Sequence, residues 1–220
     1  MTRRHVDLSH AVVDGEVTYP GLPAPSISDH LTREASRARY APGFEFHIGR
    51  IEMVANTGTY LDTPFHRFEH GYDLSALPLH LVAGVPGVVV DGTGSGPIEL
   101  PDDLAGRAVL VRTGWDVHWA TPRYGDPDHP SLHEETARHL VTAGVGLVGI
   151  DSVNIDDTST GERPIHSLLL EAGIPIVEHL TNLGALPDHP FDVFAVPVKV
   201  VGMGTFPVRA FAMWDEPEAG

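Results

Sequence analysis

The chain has no cysteine, which excludes disulfide staples and thiolate metal sites together. Basic residues are scarce: Lys and Arg number 14 against 30 Asp and Glu, for a formal net charge of −16 at pH 7. That field repels phosphate backbones, and no local basic patch offsets it, so nucleic acid is not an expected partner. No apolar run reaches membrane-spanning length. Arg3-Arg4 would suit a twin-arginine export signal only if an apolar segment followed, and Val6-Asp7-Leu8-Ser9-His10 follows instead. Repeats, low-complexity tracts and obvious linkers are also missing. These absences point to a soluble, cytoplasmic protein with no membrane partner. Its 220 residues suit one domain over 1–220, long enough to bury a core.

What is present reads as an α/β chain. Continuous apolar runs at 87–90, 108–111, 146–150, 174–177 and 193–196 predict buried strands. Pro197 would end the last of these or place it at a sheet edge. Phe44, Phe46 and Ile48 alternate with other residues, which predicts a half-buried strand. Val17-Thr18-Tyr19 before Pro20-Gly21 predicts a short strand closed by a turn. Ser131 and Glu134 have capping-box spacing ahead of a helix stopped at Gly144. Pro164 opens a second, shorter helix through Leu170, closed by Gly173.

The most informative segment runs Asn56-Thr57-Gly58-Thr59-Tyr60-Leu61-Asp62-Thr63-Pro64-Phe65-His66. Taken alone, Gly58 and Pro64 would do no more than shape a tight turn. The whole segment, however, resembles the signature H-x-G-T-H-x-D-x-P-x-H of the bacterial kynurenine formamidase or cyclase family of metal-dependent hydrolases. By that resemblance Asp62 is a metal ligand and His66 the proton-transfer residue, whereas Asn56 and Tyr60 replace two ligand histidines. His166, twelve residues before the strand-ending Glu178, matches the rest of the family's metal site. Asp7-Leu8-Ser9-His10 and Tyr19-Pro20-Gly21 extend the match to the N-terminus, with Tyr19 as an aromatic that packs against substrate. The resemblance runs from about Asp7 to Phe211. It implies a mixed sheet with flanking helices in a swivelling β/β/α (cyclase-like) architecture, and a homo-oligomer, dimer or tetramer.

Asp62, His166 and Glu178 offer two carboxylates and an imidazole, enough to hold one zinc or manganese with a position open for water. His66 suits proton transfer near neutral pH, and Glu178 is a second catalytic candidate. Asn56 and Tyr60, poor ligands as a neutral amide and phenol, would contact substrate alongside Tyr19. At most one metal is expected. Without it, Asp62 and Glu178 would be neighbouring carboxylates sharing a proton. His118, His129, His133 and His139 lie among polar residues and are expected at the surface. His10 would line the pocket. His47 and Glu45 would share a strand face, either as substitute ligands or as a polar surface.

These residues point to a hydrolase acting on the carbonyl of a small aromatic amide, of arylformamidase type. A cyclase or lactonase of secondary metabolism, and a non-catalytic relative that binds small aromatics, are the alternatives.

Overall fold

The computed structural model describes residues 2–94 and 96–216. Its strands are β1 (Thr2–Asp7), β2 (Ser26–Leu31), β3 (Ile48–Glu52), β4 (Tyr60–Asp62), β5 (Ala83–Asp91), β6 (Ala108–Arg112), β7 (Leu147–Ile150), β8 (Ile176–Glu178), β9 (Asp192–Phe194), β10 (Thr205–Pro207) and β11 (Phe211–Glu216). The α-helices are α1 (Arg33–Ser36), α2 (Glu134–Ala143) and α3 (Pro164–Glu171).

Nine strands form one mixed sheet in the order β1-β11-β9-β5-β6-β7-β8-β4-β10. The β5–β6–β7–β8 stretch is parallel and the remaining pairings are antiparallel. The apolar runs become the central strands, because a strand covered on both faces needs apolar side chains pointing both ways. Along β6, Ala108 and Leu110 enter one core while Val109 and Val111 enter the other. That second core lies under α2 and α3, which contribute Leu140, Ile165 and Leu169.

Both predicted helices form, with one cap displaced. α2 stops at Gly144, whose φ of 69° is the left-handed conformation a C-cap glycine adopts without a Cβ clash. Its N-cap is His133, whose ring accepts the Glu135 N–H. Ser131 is not the cap, because the Leu132 N–H is committed to the Ile155 carbonyl at 2.8 Å and keeps that stretch extended.

Three strand expectations change. Residues 17–21 form no strand, because the Thr18 hydroxyl is spent accepting the Gly58 N–H, which ties this segment over the signature loop. β9 ends at Phe194, ahead of Pro197, and lies between β11 and β5, away from the sheet edge. Phe44 and Phe46 precede β3 in a loop and are 61% and 50% exposed. β2 and β3 pair only with each other, as an arm outside the main sheet.

Candidate active site

The site is assembled where β4 lies between β8 and β10. Side chains two apart on a strand share a face, so Tyr60 and Asp62 project to the same side. Cross-strand register places Tyr60 opposite Glu178 and Asp62 opposite Thr205. Asp62 and Glu178 are both buried. After β4 the chain enters a 3-10 turn over Pro64–His66, which returns the His66 ring towards Asp62. That turn fits because Gly204 has no side chain: a Cβ there would stand 2.2 Å from the His66 backbone nitrogen.

His166 comes from the first turn of α3 and is fixed by Asp156. The Asp156 carboxylate accepts the backbone N–H groups of Ile165 and His166 at 2.7 and 3.0 Å. The same Oδ2 stands 2.6 Å from His166 Nδ1. One buried residue therefore satisfies two free helix N–H groups and orients the ring. His166 Nε2 is left 3.7 Å from Asp62 Oδ2 and 3.7 Å from Glu178 Oε1.

Glu178 accepts from the Tyr60 hydroxyl at 2.5 Å through Oε2 and from the Ile155 N–H at 2.6 Å through Oε1. Burial pushes the Glu178 carboxyl up to about 7, with His166 opposing the rise and Asp62 adding to it. Burial would lower His166, but Glu178, Asp156 and Asp62 together outweigh it and raise the imidazole to about 10. The Tyr60 phenol is raised well above its ordinary value, first by burial and then by the Glu178 charge. It therefore stays a neutral donor.

Asp62 Oδ1 accepts from Thr205 Oγ1, and that hydroxyl also lies 2.7 Å from His66 Nδ1. Asp62 Oδ2 is buried and among the described residues has no hydrogen-bond partner. Ligand atoms from Asp62, His66 and His166 lie within 4.8 Å of one another, a grouping suited to a metal ion. The His66 side chain is 35% exposed, and among the described residues its Nε2 has no hydrogen-bond partner.

Tyr19, Asn56, Tyr60, His66, His166 and Glu178 all line one cavity of about 240 Å³, and Asp62 lies behind His66 and His166. Asn154 donates to the Tyr19 hydroxyl at 3.4 Å on the same wall. His10 lies elsewhere, stacked on Trp119 with ring centroids 3.8 Å apart. His47 is paired with Asp29 and Glu45 with Arg37, both on the exposed arm. His129 departs from expectation: it is buried, with Ser152 and Thr158 hydroxyls at 3.2 and 3.0 Å. Asp156, Thr205 and Asn154 were not singled out from the sequence. An Asp ten residues before His166 was the one available signal, and Thr205 had none.

The mixed sheet and the buried carboxylate–imidazole cluster at its strand ends define an α/β protein with a candidate metal centre. The chain belongs to the cyclase family: the family model described as "Putative cyclase" matches residues 6–157. It is 30% identical over 178 residues to a kynurenine formamidase of Maricaulis maris, covering 77% of this chain and 81% of that one. A kynurenine formamidase of Salinibacter ruber is 29% identical over 220 residues, covering 97% and 98%. Among solved structures, one titled as a potential metal-dependent hydrolase with cyclase activity superposes with a TM-score of 0.73 at 25% identity, covering 98% of this chain and all of that one.

Proposed function

We propose that the protein hydrolyses the carbon–nitrogen bond of a small aromatic amide, in a reaction of arylformamidase type. The observation that carries this reading is Asp62 Oδ2, buried without a partner and 3.7 Å from the nitrogen of a histidine already oriented by Asp156. A buried carboxylate oxygen is costly unless a cation meets it, a role the His166 imidazolium fills at 3.7 Å until Nε2 exchanges its proton for a metal ion. Two ligand atoms on a tetrahedral zinc at roughly 2.1 Å stand about 3.4 Å apart. The 3.7 Å separations from His166 Nε2 to Asp62 Oδ2 and to Glu178 Oε1 are close to that. The residues fit the group: Asp62, His166 and Glu178 would hold one zinc or manganese. When bound, such an ion lowers the pKa of a water molecule and polarises a carbonyl.

The chain's own groups supply the rest. Tyr19 is the platform for the aryl ring. The Asn56 amide donates to the carbonyl oxygen as negative charge develops on it. His66 takes the proton of the attacking water at Nε2 and returns it to the departing amine, leaving a carboxylic acid and an arylamine. Thr205 holds the opposite nitrogen, Nδ1, and so keeps the ring in place. The names of the kynurenine formamidase relatives support this substrate class.

Turnover of N-formylkynurenine with added zinc or manganese is the direct test, and no rate above buffer removes that substrate. His66→Ala should keep its metal and lose at least about 100-fold in rate, as expected for a lost acid–base group. Loss of metal from that variant would instead make His66 a ligand with Asp62 and His166.

We further infer that the protein is a homo-oligomer assembled through the β2–β3 arm. A two-stranded ribbon is marginal alone, yet this one exposes Ile27, Ile48 and Ile51, with Tyr40, Phe44 and Phe46 in its connection. A second copy carrying the same apolar arm covers it symmetrically. Light scattering should give at least twice the 23.7 kDa of one chain. A stable monomer at micromolar concentration overturns the assembly.

A further inference from the structure

Two guanidinium groups on the cavity wall have no part in the chemistry above. Arg67 and Arg163 both line the cavity that holds Tyr19 and Asn154. Among the described residues neither has a carboxylate within ion-pair distance, although the chain carries 30 acidic residues. Chance pairing would be easy in such a chain, so two guanidinium groups without a carboxylate partner at one cavity in a protein of net charge −16 call for a physical account.

Arg163 is half-buried and held along one edge only. Its Nη1 donates to the carbonyls of Asp157, Thr160 and Glu162 at 3.4, 2.8 and 2.6 Å. Among the described residues Nη2 and Nε meet no carbonyl or carboxylate oxygen, and the guanidinium's other neighbour is the Tyr19 hydroxyl on the same cavity wall. The Asp157 carboxyl senses Arg163 weakly, and its main partner is the Ser159 N–H. Arg67 is exposed and held more loosely: Nε faces the Ser167 hydroxyl at 3.3 Å, the guanidinium lies over the Phe68 ring at 5.2 Å, and among the described residues its terminal nitrogens have no hydrogen-bond acceptor. A guanidinium fixed along one edge and free along another has already lost the rotamer entropy that binding would otherwise cost. Its free edge matches the two oxygens of a carboxylate.

We propose that Arg163, with Arg67 on the same wall, is a specificity-determining residue that receives a carboxylate borne by the substrate away from the carbonyl under attack. The substrate class is then an aryl amide carrying a second, anionic group. This assignment rests on the amide-hydrolase reading for its reaction but not for its binding. The two arginines put positive charge at the wall of a cavity that also holds Glu178, so an anionic substrate group meets a cation there at the Tyr19 side.

The test separates binding from turnover. Titration calorimetry of the intact protein with 2-aminobenzoate and with aniline, the same ring without the carboxylate, should show at least about tenfold tighter binding of the acid. Arg163→Gln should weaken 2-aminobenzoate by about 10- to 100-fold, in the range of a lost charge-assisted pair. Arg163→Lys, which keeps the charge without the fork, should fall between the two. Because Nη1 of Arg163 also braces its own loop, Arg67→Gln is the second variant, with a smaller loss expected. Equal affinity of the parent for both compounds overturns the proposal. So does unchanged 2-aminobenzoate binding in Arg163→Gln or Arg67→Gln, which would report a carboxylate seated on a metal instead. Arginine-dependent binding without hydrolysis of any aryl amide overturns the reaction and leaves the anion site standing.

Discussion

Tyr60 and Glu178 are direct cross-strand partners, and the phenol donates to the carboxylate at 2.5 Å. The hydroxyl holds an oxygen that would otherwise be open to a cation. Exchanging Asn56→His together with Tyr60→His should add two imidazole donors and free Glu178 Oε2. Metal bound per chain should rise. If elemental analysis finds the same content in variant and parent, positions 56 and 60 do not control occupancy.

Asp156→Asn should disturb metal binding and stability together. The amide keeps one acceptor for the helix N–H groups but loses the charge that fixes His166 Nδ1. Removing an outer partner of a ligating histidine costs about 10- to 100-fold in metal affinity. The weakened cap and buried hydrogen bond should also cost about 1–3 kcal/mol. Metal titration and denaturant unfolding read the two effects separately.

Gly204→Ala tests the close approach behind His66. The added methyl would meet the His66 nitrogen at 2.2 Å and its Cα at 2.6 Å, and both atoms are backbone that no rotamer change can move aside. A loss of about 3 kcal/mol or more is expected, the upper end for overpacking. Gly94→Ala, with nothing within 4 Å, should change little. Equal stability of the two variants would show that the 3-10 turn can yield.

His10 gives the pH dependence a sign. Burial lowers its pKa from 6.5 to about 4, with Asp116 opposing. Between those values the unfolded chain binds a proton that the native protein does not, so stability falls as pH drops from about 6.5 towards 4. Burial lowers His179 to about 3, which acts in the same direction. Glu178, raised to about 7, acts in the opposite one. His10→Phe keeps a ring against Trp119 and removes the titration. The melting temperature of the variant should therefore fall less than the parent's between pH 7.5 and 5. Parallel curves would remove His10 from the account.

The central strands were legible because β5–β8 are apolar on both faces, which alternation-free runs announce. The candidate site residues were legible through the resemblance of the 56–66 segment to the family signature, since an Asp four residues before a His is by itself an ordinary occurrence; Glu178, ending a buried strand, also stood out by its placement. The outer strand β1 was not, since Thr2-Arg3-Arg4-His5-Val6-Asp7 has no apolar pattern and is a strand only by pairing with β11. Thr205 was invisible for a related reason. Its role depends on Asp62 and His66, 143 and 139 positions away, and nothing in its neighbours encodes that meeting. Phe44 and Phe46 misled because their alternation is real but points away from the main sheet.

The pairing of β10 with β4 also sets an order of events. Asp62 and His66 are synthesised early, His166 and Glu178 much later, and Thr205 later still. Until the β10 segment arrives, the Asp62 carboxylate lacks its hydroxyl partner and the His66 turn lacks its Gly204 backing. Contacts this far apart in sequence close late and slowly. A chain arrested with β10 still unmade would hold Asp62, His166 and Glu178 but lack the Thr205 hydroxyl that touches Asp62 and His66. Fixing of the His66 ring is accordingly the step that waits for the docking of β10, distinct from the formation of the parallel core.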